Sequence, residues 1–372
     1  MKLLIEHGAD VHARDESQST PLHQVFDAEA ARLLIEHGAD VHALDESQST
    51  PLHQASSKGN VEAVKLLIEH GADIHARDKY QSMPLHFASS KGNAETVKLL
   101  IKHGADIHAR DENQSTPLHL ASHSWTSESV KLLIEHGADL HTCNKSRSTP
   151  LHLAQGSKIA KILIKHGANI HALDESQSTP LHFAYDAITA KLLIELGADV
   201  HARNKSQSTP LHLARGSEIV KRLIEHGADV CALDKNQATP LHYVRDCEAA
   251  RLLIEHGADI HARDEDHSTP LHSVSSLQPS KDKPETTLRL LIDRGASVSA
   301  YDKNHQTPLH RLSSCREPNA PSLALLLENG ADVDVEDDEG FTPIQIALVE
   351  ENYKIARLLL DHRAHIVSNI TM

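Results

Sequence analysis

The amino-acid sequence predicts an all-α protein built as a solenoid of helix–turn–helix repeats. Aromatic residues make up only 3% of the 372 residues, which favours many small Leu, Ile, Val and Ala cores over one large core. The motif Thr-Pro-Leu-His begins nine times, at Thr20, Thr50, Thr116, Thr149, Thr179, Thr209, Thr239, Thr269 and Thr307. A variant begins at Met83 and Thr-Pro-Ile-Gln begins at Thr342, which makes eleven repeats. Their spacing of 30 to 38 residues is typical of helical repeat arrays.

Each repeat opens with residues that begin a helix. Thr20 suits the N-cap, where a hydroxyl accepts a backbone N–H of the first turn. Pro21 suits the first helical position, because proline has no N–H to leave unpaired there. His23 follows three residues after the cap, so its imidazole is placed to reach back to the cap as Glu does in a capping box. The motif therefore predicts a capped first helix.

A second helix and a projecting loop complete each repeat. The segment 64–70 is mostly apolar and ends at Gly71, which suits the left-handed end of a helix. A polar loop tip follows at residues 77–82. Eleven of the 16 glycines end a second helix and eleven of the 15 prolines open a first one, which leaves few for another domain. Because the second helices are apolar nearly all round, neighbouring repeats are expected to stack over them.

These motifs resemble the ankyrin repeat family, whose repeat of about 33 residues carries T-P-L-H-x-A and a closing G-A-D-x-x-A. The resemblance covers essentially the whole chain. It implies a right-handed solenoid with hairpin-like loops along one edge, first helices on the concave side and second helices on the convex side. It also implies a non-catalytic role in protein binding.

The repeats predict one ankyrin array over residues 1–372. Residues 1–15 form a partial repeat, 16–341 form ten repeats of which the last two carry insertions, and 342–372 form a C-terminal capping repeat. The insertion at 277–284 contains two prolines and predicts a mobile loop. Residues 2–7 read as a second helix with no first helix before it. The chain is therefore expected either to be a fragment or to expose a self-associating N-terminal face, and otherwise to be a monomer.

Two features depart from the family pattern. Ten of the eleven tips lack the family's glycine two residues before the Thr position, and most carry Gln there, as at Gln81; Gly340 is the exception. A side chain in a left-handed turn costs on the order of 1 kcal/mol, so a shifted turn type or slightly strained tips are expected. Five repeats are only 30 residues long, because the end of the first helix and its turn shrink.

Composition narrows the range of partners and compartments. The net charge is -15, with 52 acidic and 37 basic residues, which disfavours nucleic acid and anionic membranes as partners. The four cysteines form no CxxC pair, so a disulfide framework or zinc site is not expected. The sequence contains no signal peptide and no apolar stretch of the length that a membrane span needs. We expect an intracellular, cytoplasmic protein, with the nucleus as an alternative.

The sequence predicts no cofactor, no metal site and no enzymatic activity. It lacks a nucleophile elbow, a phosphate-binding glycine loop and an HExxH motif. Most of the 31 histidines recur once per repeat, so equivalent ones are separated by roughly 8–10 Å and cannot share one ion at bonds of about 2.1 Å. A fall in stability or a change in binding below about pH 6 is a better hypothesis. The row typified by His70, near helix C-termini, suits the charged form.

Residues that differ between repeats are the candidates for partner binding. Tip arginines and lysines form a basic edge that suits an acidic partner, with a merely solvated face as the alternative. Trp125 replaces the glycine seen at Gly59 and Gly92, and is either an interface anchor or packed over its own turn. The predicted partner-binding residues are Arg77, Lys79, Tyr80, Arg110, Trp125, Lys145, Arg203, Lys205, Lys235 and Tyr301.

The predicted function is a non-enzymatic scaffold or adaptor that binds a partner protein through loop tips and concave first helices. The main alternative is the recognition arm of a larger assembly, such as a ubiquitin-ligase receptor, a pathogen effector or a channel. A mechanical spacer without a partner is a more remote alternative.

Overall fold

The structure, a computed structural model, describes residues 7–25, 27–277, 283–315 and 319–361. Across these residues it contains eighteen α-helices, two short 3₁₀ helices and no β-strand. The chain divides into two compact units, Met1–Glu175 and Ser176–Met372. Most of the helix predicted at residues 2–7 and most of the inserted loop lie outside the described residues. The division of the sequence into a partial repeat, ten repeats and a cap stays a prediction.

The described residues of the first unit form eight helices. They are α1 Ala28–Glu36, α2 Pro51–Lys58, α3 Val61–Glu69, α4 Pro84–Ser90, α5 Ala94–Lys102, α6 Pro117–Ser122, α7 Ser127–Glu135 and α8 Ser157–Lys165. Helices α2, α4 and α6 are first helices of their repeats, and α3, α5 and α7 are the second helices. The all-helical prediction is confirmed.

Ten α-helices lie in the second unit, as far as the structure describes it. They are α9 Ala187–Glu195, α10 Pro210–Leu213, α11 Ser217–Glu225, α12 Cys247–Glu255, α13 Pro270–Ser275, α14 Pro284–Asp293, α15 Pro308–Ser313, α16 Ala320–Glu328, α17 Pro343–Val349 and α18 Tyr353–Asp361. The two 3₁₀ helices, Pro180–Phe183 and Pro240–Tyr243, occupy the first-helix position of their repeats.

Equivalent helices of neighbouring repeats pack on one another within each unit. In the first unit α2 packs against α4 and α4 against α6, while α3 packs against α5 and α5 against α7. Leu52, Leu85 and Leu118 hold the same position in successive first helices, and all three are fully buried. The hydrophobic interior is therefore a row of small identical cores, as the low aromatic content predicts.

Helix ends follow the predicted residues. Thr116 is the N-cap of α6, Pro117 is its first residue, and Thr116 and His119 form a capping box. Gly71 follows the C-terminal end of α3 with φ of 85°, a left-handed conformation that glycine adopts without steric cost. The start and stop signals in the sequence are thus confirmed at the backbone level.

The first helix is reduced to about one turn in the 30-residue repeats. Helix α10 has four residues, and the 3₁₀ helices at Pro180–Phe183 and Pro240–Tyr243 are equally short. Residues 21–24 and 150–153 form turns only. Because a full first helix of eight residues is present in α2, the missing three residues correspond to about one helical turn.

Loop tips keep the left-handed turn despite the loss of glycine. The ten non-glycine residues at this tip position have φ between 57° and 61°. Gly340, in the last tip, has φ of 79°. The expected shift to another turn type does not occur, and each of these side chains carries the steric cost of a left-handed residue.

We expect Gln237→Gly to stabilise the protein by up to about 1 kcal/mol, because glycine removes the steric cost at a φ of 57°. The reciprocal change, Gly340→Gln, is expected to destabilise it by a similar amount. Urea unfolding followed by circular dichroism measures both. Changes of the same sign in the two variants would contradict a conformational origin.

Candidate functional site

Most loop tips are closed by hydrogen bonds around an aspartate, and two are closed in the same way around Asn144 and Asn204. In the tip at residues 77–82, the Asp78 Oδ1 accepts the backbone N–H of Tyr80 at 2.9 Å and of Ser82 at 2.8 Å. The Asp78 N–H donates to the Ser82 carbonyl at 3.0 Å. These bonds fix the tip as a rigid turn, so the side chains that leave it have defined starting positions.

Successive tips are joined by one main-chain hydrogen bond. In the first unit the N–H of Lys79 donates to the Ser47 carbonyl at 2.9 Å, and that of Lys145 donates to the Asn113 carbonyl at 2.7 Å. In the second unit Lys205 and Lys235 make the same bond, to Ser176 and Ser206, at 2.8 Å each. Within each unit the tips therefore form a continuous row.

A buried histidine ties most first helices to the tip of the next repeat. The Thr116 N–H donates to Nδ1 of His119 at 3.2 Å, and the Nε2–H donates to the Ser148 carbonyl at 3.1 Å. Nδ1 must therefore be unprotonated. Burial lowers the pKa of His119 to about 4. The same cause lowers the pKa of seven equivalent residues: His23, His53, His86, His212, His242, His272 and His310.

A groove lies between the tips and first helices of the first unit. Its volume is about 440 Å³, and three equivalent tip residues, Asp45, Asp78 and Asp111, line it with the rings of Tyr80 and Phe87. Their carboxylates give the groove a negative lining. We call this feature the acidic groove.

The second unit has a smaller groove at the corresponding place. Its volume is about 240 Å³, and Asp264, Glu265 and Asp266 are among its lining residues. Elsewhere in this unit a side chain of the same repeat covers the tip carboxylate. Both Nε and Nη2 of Arg311 donate to Asp302 Oδ2, at 2.9 and 2.6 Å.

Tyr243 covers another tip carboxylate in the second unit. Its hydroxyl donates to Asp234 Oδ2 at 2.6 Å. Burial, followed by this hydrogen bond, raises the pKa of Tyr243 to about 12. At Asp234 and Asp302 the covering residue thus stands nine positions after the tip aspartate, whereas Asp337 Oδ2 accepts a hydrogen bond from Nε2 of Gln306, in the preceding tip, at 3.0 Å.

Comparison with protein-family models gives a match along nearly the whole chain. The model described as ankyrin repeats (3 copies) matches residues 1–78, 76–142, 126–204, 185–264 and 271–370. The chain belongs to the ankyrin repeat family. Ankyrin repeats are generally protein–protein interaction modules, and the family is typically non-enzymatic. A search of curated proteins found no match.

The tip arginines of this ankyrin array bind main-chain carbonyls. Arg77 Nη1 donates to the carbonyls of Gln81, in its own tip, and Arg110, in the next, at 2.8 and 2.9 Å. Arg203 bridges Gln207 and Leu233 in the same way, at 3.2 and 2.7 Å. These arginines are predicted from the sequence as partner-binding residues. In the structure they also link neighbouring ankyrin tips.

We expect Arg203→Ala to destabilise the second unit by about 1 kcal/mol, because it removes two charge-assisted hydrogen bonds at an exposed site. Arg215→Ala is the matched control, since Arg215 is exposed and makes no such tip-to-tip link. Thermal unfolding of the two variants tests this role. Equal melting temperatures would contradict it.

The predicted lysines and tyrosines are exposed on the tips. Lys79 Nζ lies 5.0 Å from the centroid of the neighbouring Tyr80 ring. Lys145, Lys205 and Lys235 are also exposed. Tyr301 stands at the variable position that arginine holds in other ankyrin tips, with its ring centroid 4.3 Å from that of His305. Within each unit the tip row brings these residues to one edge.

Trp125 lies apart from the tips, on the loop between α6 and α7. Its side chain is 81% exposed, so the alternative in which it packs over its own turn is wrong. Thr126 beside it donates its hydroxyl to the Gly92 carbonyl of the preceding ankyrin repeat, at 3.1 Å. The role of Trp125 as an interface anchor stays a prediction.

Two further structural facts, on metal ligands and on membrane-spanning helices, concern the described part of the chain. It contains no cluster of three or more His, Cys, Asp or Glu side chains placed to hold a metal ion. Nor does it contain a helix both long and apolar enough to cross a membrane. All four cysteines are free thiols.

The acidic groove is not among the sites that the sequence predicts. The available signal was the residue nine positions after each tip aspartate. That residue is Gln54, Phe87 or Leu120 in the repeats of the groove, but Tyr243 and Arg311 in two repeats of the second unit. Its meaning depends on the structure, because only the fold places the two residues side by side.

Proposed function

We propose that this chain is a non-enzymatic scaffold or adaptor that binds a partner protein through loop tips and first helices. The ankyrin family supports the protein-binding role. The side chains that recur in most repeats, such as Asp78 and His119, make hydrogen bonds within the stack. Recognition is thereby left to the outward side chains that differ between repeats.

The main-chain bonds between successive tips are the observation that carries this proposal. They hold variable exposed side chains at fixed positions in a row, so a partner meets a surface that is already ordered. A preorganised surface loses little conformational entropy on binding. Loops that moved independently would not offer this advantage.

The residues proposed to contact the partner are those that the sequence singled out. In the first unit they are Arg77, Lys79, Tyr80, Arg110, Trp125 and Lys145. In the second unit they are Arg203, Lys205, Lys235 and Tyr301. The lysines at the outer edge of the tips suit acidic side chains of the partner, whereas the carboxylates of the acidic groove suit basic ones.

Position-specific cross-linking tests the proposal. A photo-reactive amino acid replaces Lys79 or Lys145 on the tips, or Lys98 or Lys131 on the outer faces of α5 and α7. All four lysines are exposed, so access of the probe is matched. In extracts of the cells that express the protein, we expect cross-linked partners from the tip positions.

The matched second-helix positions are expected to give few or no cross-links. Cross-links that form only from Lys98 and Lys131 would place the binding surface on the second helices and contradict the proposal. Absence of cross-links from all four positions would favour a spacer without a partner.

A further inference from the structure

Asp78 presents a carboxylate oxygen to the acidic groove. Its side chain is only 2% exposed, and Oδ1 is occupied by the two tip N–H groups. Oδ2 has no hydrogen-bond partner among the described residues. Oδ2 is therefore open to a donor from outside the chain, and a charged donor there would meet a carboxylate that is otherwise largely shielded from water.

The neighbouring repeats place equivalent carboxylates in the same groove. Asp111 is 8% exposed, and its Oδ1 accepts the Ser115 N–H at 2.8 Å. Asp45 accepts the N–H groups of Ser47 and Ser49 through Oδ1, at 2.8 and 2.9 Å. In both residues Oδ2 has no hydrogen-bond partner within the part of the chain that the structure describes.

The second unit shows which donor fits this oxygen. At Asp302, the equivalent of Asp78, the Arg311 guanidinium donates twice to Oδ2. The position of Arg311 is held by Phe87 in the repeat of Asp78, and Phe87 has no donor. The guanidinium that the second unit supplies from its own helix is therefore missing from the acidic groove.

The walls of the acidic groove also suit a guanidinium. Tyr80 and Phe87 are among the residues that line the groove with Asp78. A guanidinium is planar, stacks on aromatic faces, and donates to carboxylates with fixed geometry, whereas an ammonium ion is a strongly hydrated point charge. Together the walls and carboxylates favour arginine over lysine.

We propose that the acidic groove binds an extended segment of a partner protein through its arginine side chains, with one guanidinium on Asp78. The inference rests on the proposed protein-binding function and specifies the chemistry of the partner. Neighbouring repeats are roughly 8–10 Å apart. In the polyproline II conformation every third side chain returns to the same face after about 9 Å, so arginines at every third position of such an extended segment match successive aspartates.

A fluorescent peptide with arginine at every third position is the probe. Its matched control replaces each arginine by citrulline, which keeps the shape and removes the charge. Fluorescence anisotropy with the full chain is expected to show binding of the arginine peptide. The citrulline peptide is expected to bind at least tenfold more weakly.

Asparagine substitutions remove the charge without opening the tips. Asn144 and Asn204 hold the tip position in two other repeats, and their Oδ1 atoms accept the same pair of N–H groups. The triple variant Asp45→Asn, Asp78→Asn and Asp111→Asn is therefore expected to fold normally. We expect it to bind the arginine peptide at least tenfold more weakly than the unmodified chain.

A charge-matched control distinguishes binding of the peptide in the acidic groove from its general attraction to a chain with a net charge of -15. Glu62→Gln, Glu69→Gln and Glu135→Gln remove three charges from exposed positions on α3 and α7. This variant is expected to bind the arginine peptide within twofold of the unmodified chain. Equal losses in the two triple variants would show non-specific attraction and overturn the inference.

Phe87→Arg gives an independent test, because it places beside Asp78 an arginine like the one that covers Asp302. We expect this variant to lose peptide binding while its circular dichroism spectrum stays helical and its thermal unfolding stays cooperative. Undiminished binding by this variant, or no binding of the arginine peptide by the unmodified chain, would overturn the inference. Tip cross-links to a partner would still support the proposed function in that case, so the two failures are distinguishable.

Discussion

Lowering the pH from 7.5 to 5.5 is expected to reduce the free energy of unfolding, and His119 alone accounts for about 1.4 kcal/mol of the loss. The cause is the hydrogen-bond pattern of this buried residue. Its Nδ1 accepts the Thr116 N–H and therefore cannot hold a proton in the native structure.

The sign follows from the two pKa values. In the unfolded chain the imidazole takes up a proton below its ordinary pKa of 6.5, but in the native structure His119 stays neutral down to a pKa of about 4. Protons therefore bind preferentially to the unfolded chain between these values. The stability contributed by neutral His119 is complete above pH 6.5 and is lost as the pH falls towards 4.

The charged groups around His119 do not reverse this direction. Burial is the largest influence on its pKa, the Asp111 carboxylate opposes it, and the Arg110 guanidinium acts with it. Seven equivalent histidines have pKa values lowered by burial as well, so their contributions add in the same direction. The sequence interpretation assigned the pH response to the row typified by His70, whereas the structure provides a cause in the buried row.

Urea unfolding at pH 7.5 and 5.5, followed by circular dichroism, measures the expected loss. Proton uptake on unfolding, measured by potentiometry near pH 5.5, provides a second and independent readout. Superimposable urea curves at the two pH values would contradict the role of the buried histidines.

The fold was predictable because its signals are local. Thr116, Pro117 and His119 lie within four residues, and together they specify the start of α6. A single glycine such as Gly71 specifies the end of α3. Each signal recurs in nearly every repeat, so the stacking of repeats follows from the same local pattern.

The contacts that side chains make across and between repeats were less predictable. The sequence shows that Arg77 occupies a variable position, but not that its Nη1 reaches a carbonyl 33 residues away. Similarly, the contrast between Phe87 and Arg311 acquires meaning only when each stands beside a tip aspartate. The left-handed conformation of the tip residues could not be predicted either. The steric cost of a side chain there favours another turn type, whereas the hydrogen bonds of Asp78 hold the left-handed turn closed.

Replacing His119 by alanine is expected to destabilise the protein by about 3 to 5 kcal/mol. The side chain is 0% exposed, and its removal leaves a cavity and deprives the Thr116 N–H and the Ser148 carbonyl of their partner. Hydrogen exchange of the Thr116 amide provides the local measurement, since this amide loses its acceptor. We expect its exchange to accelerate together with the fall in global stability.

The last repeat supplies a conservative substitution for comparison. Gln345 stands where other repeats have histidine, and its Oε1 accepts the Thr342 N–H at 2.7 Å. We therefore expect His119→Gln to cost less than about 1.5 kcal/mol and to remove the share of the pH dependence that belongs to His119.

An exposed histidine of the same repeat completes the comparison. The Nδ1–H of His136 donates to the Leu132 carbonyl at the end of α7, and its removal in His136→Ala is expected to cost no more than about 1 kcal/mol. Similar costs for His119→Ala and His136→Ala would mean that the buried bridge does not stabilise the stack. A glutamine variant that restores stability but retains the full pH dependence would show that other groups cause the acid response. The two substitutions at His119 thus separate its hydrogen bonding, which glutamine can replace, from its titration, which glutamine cannot.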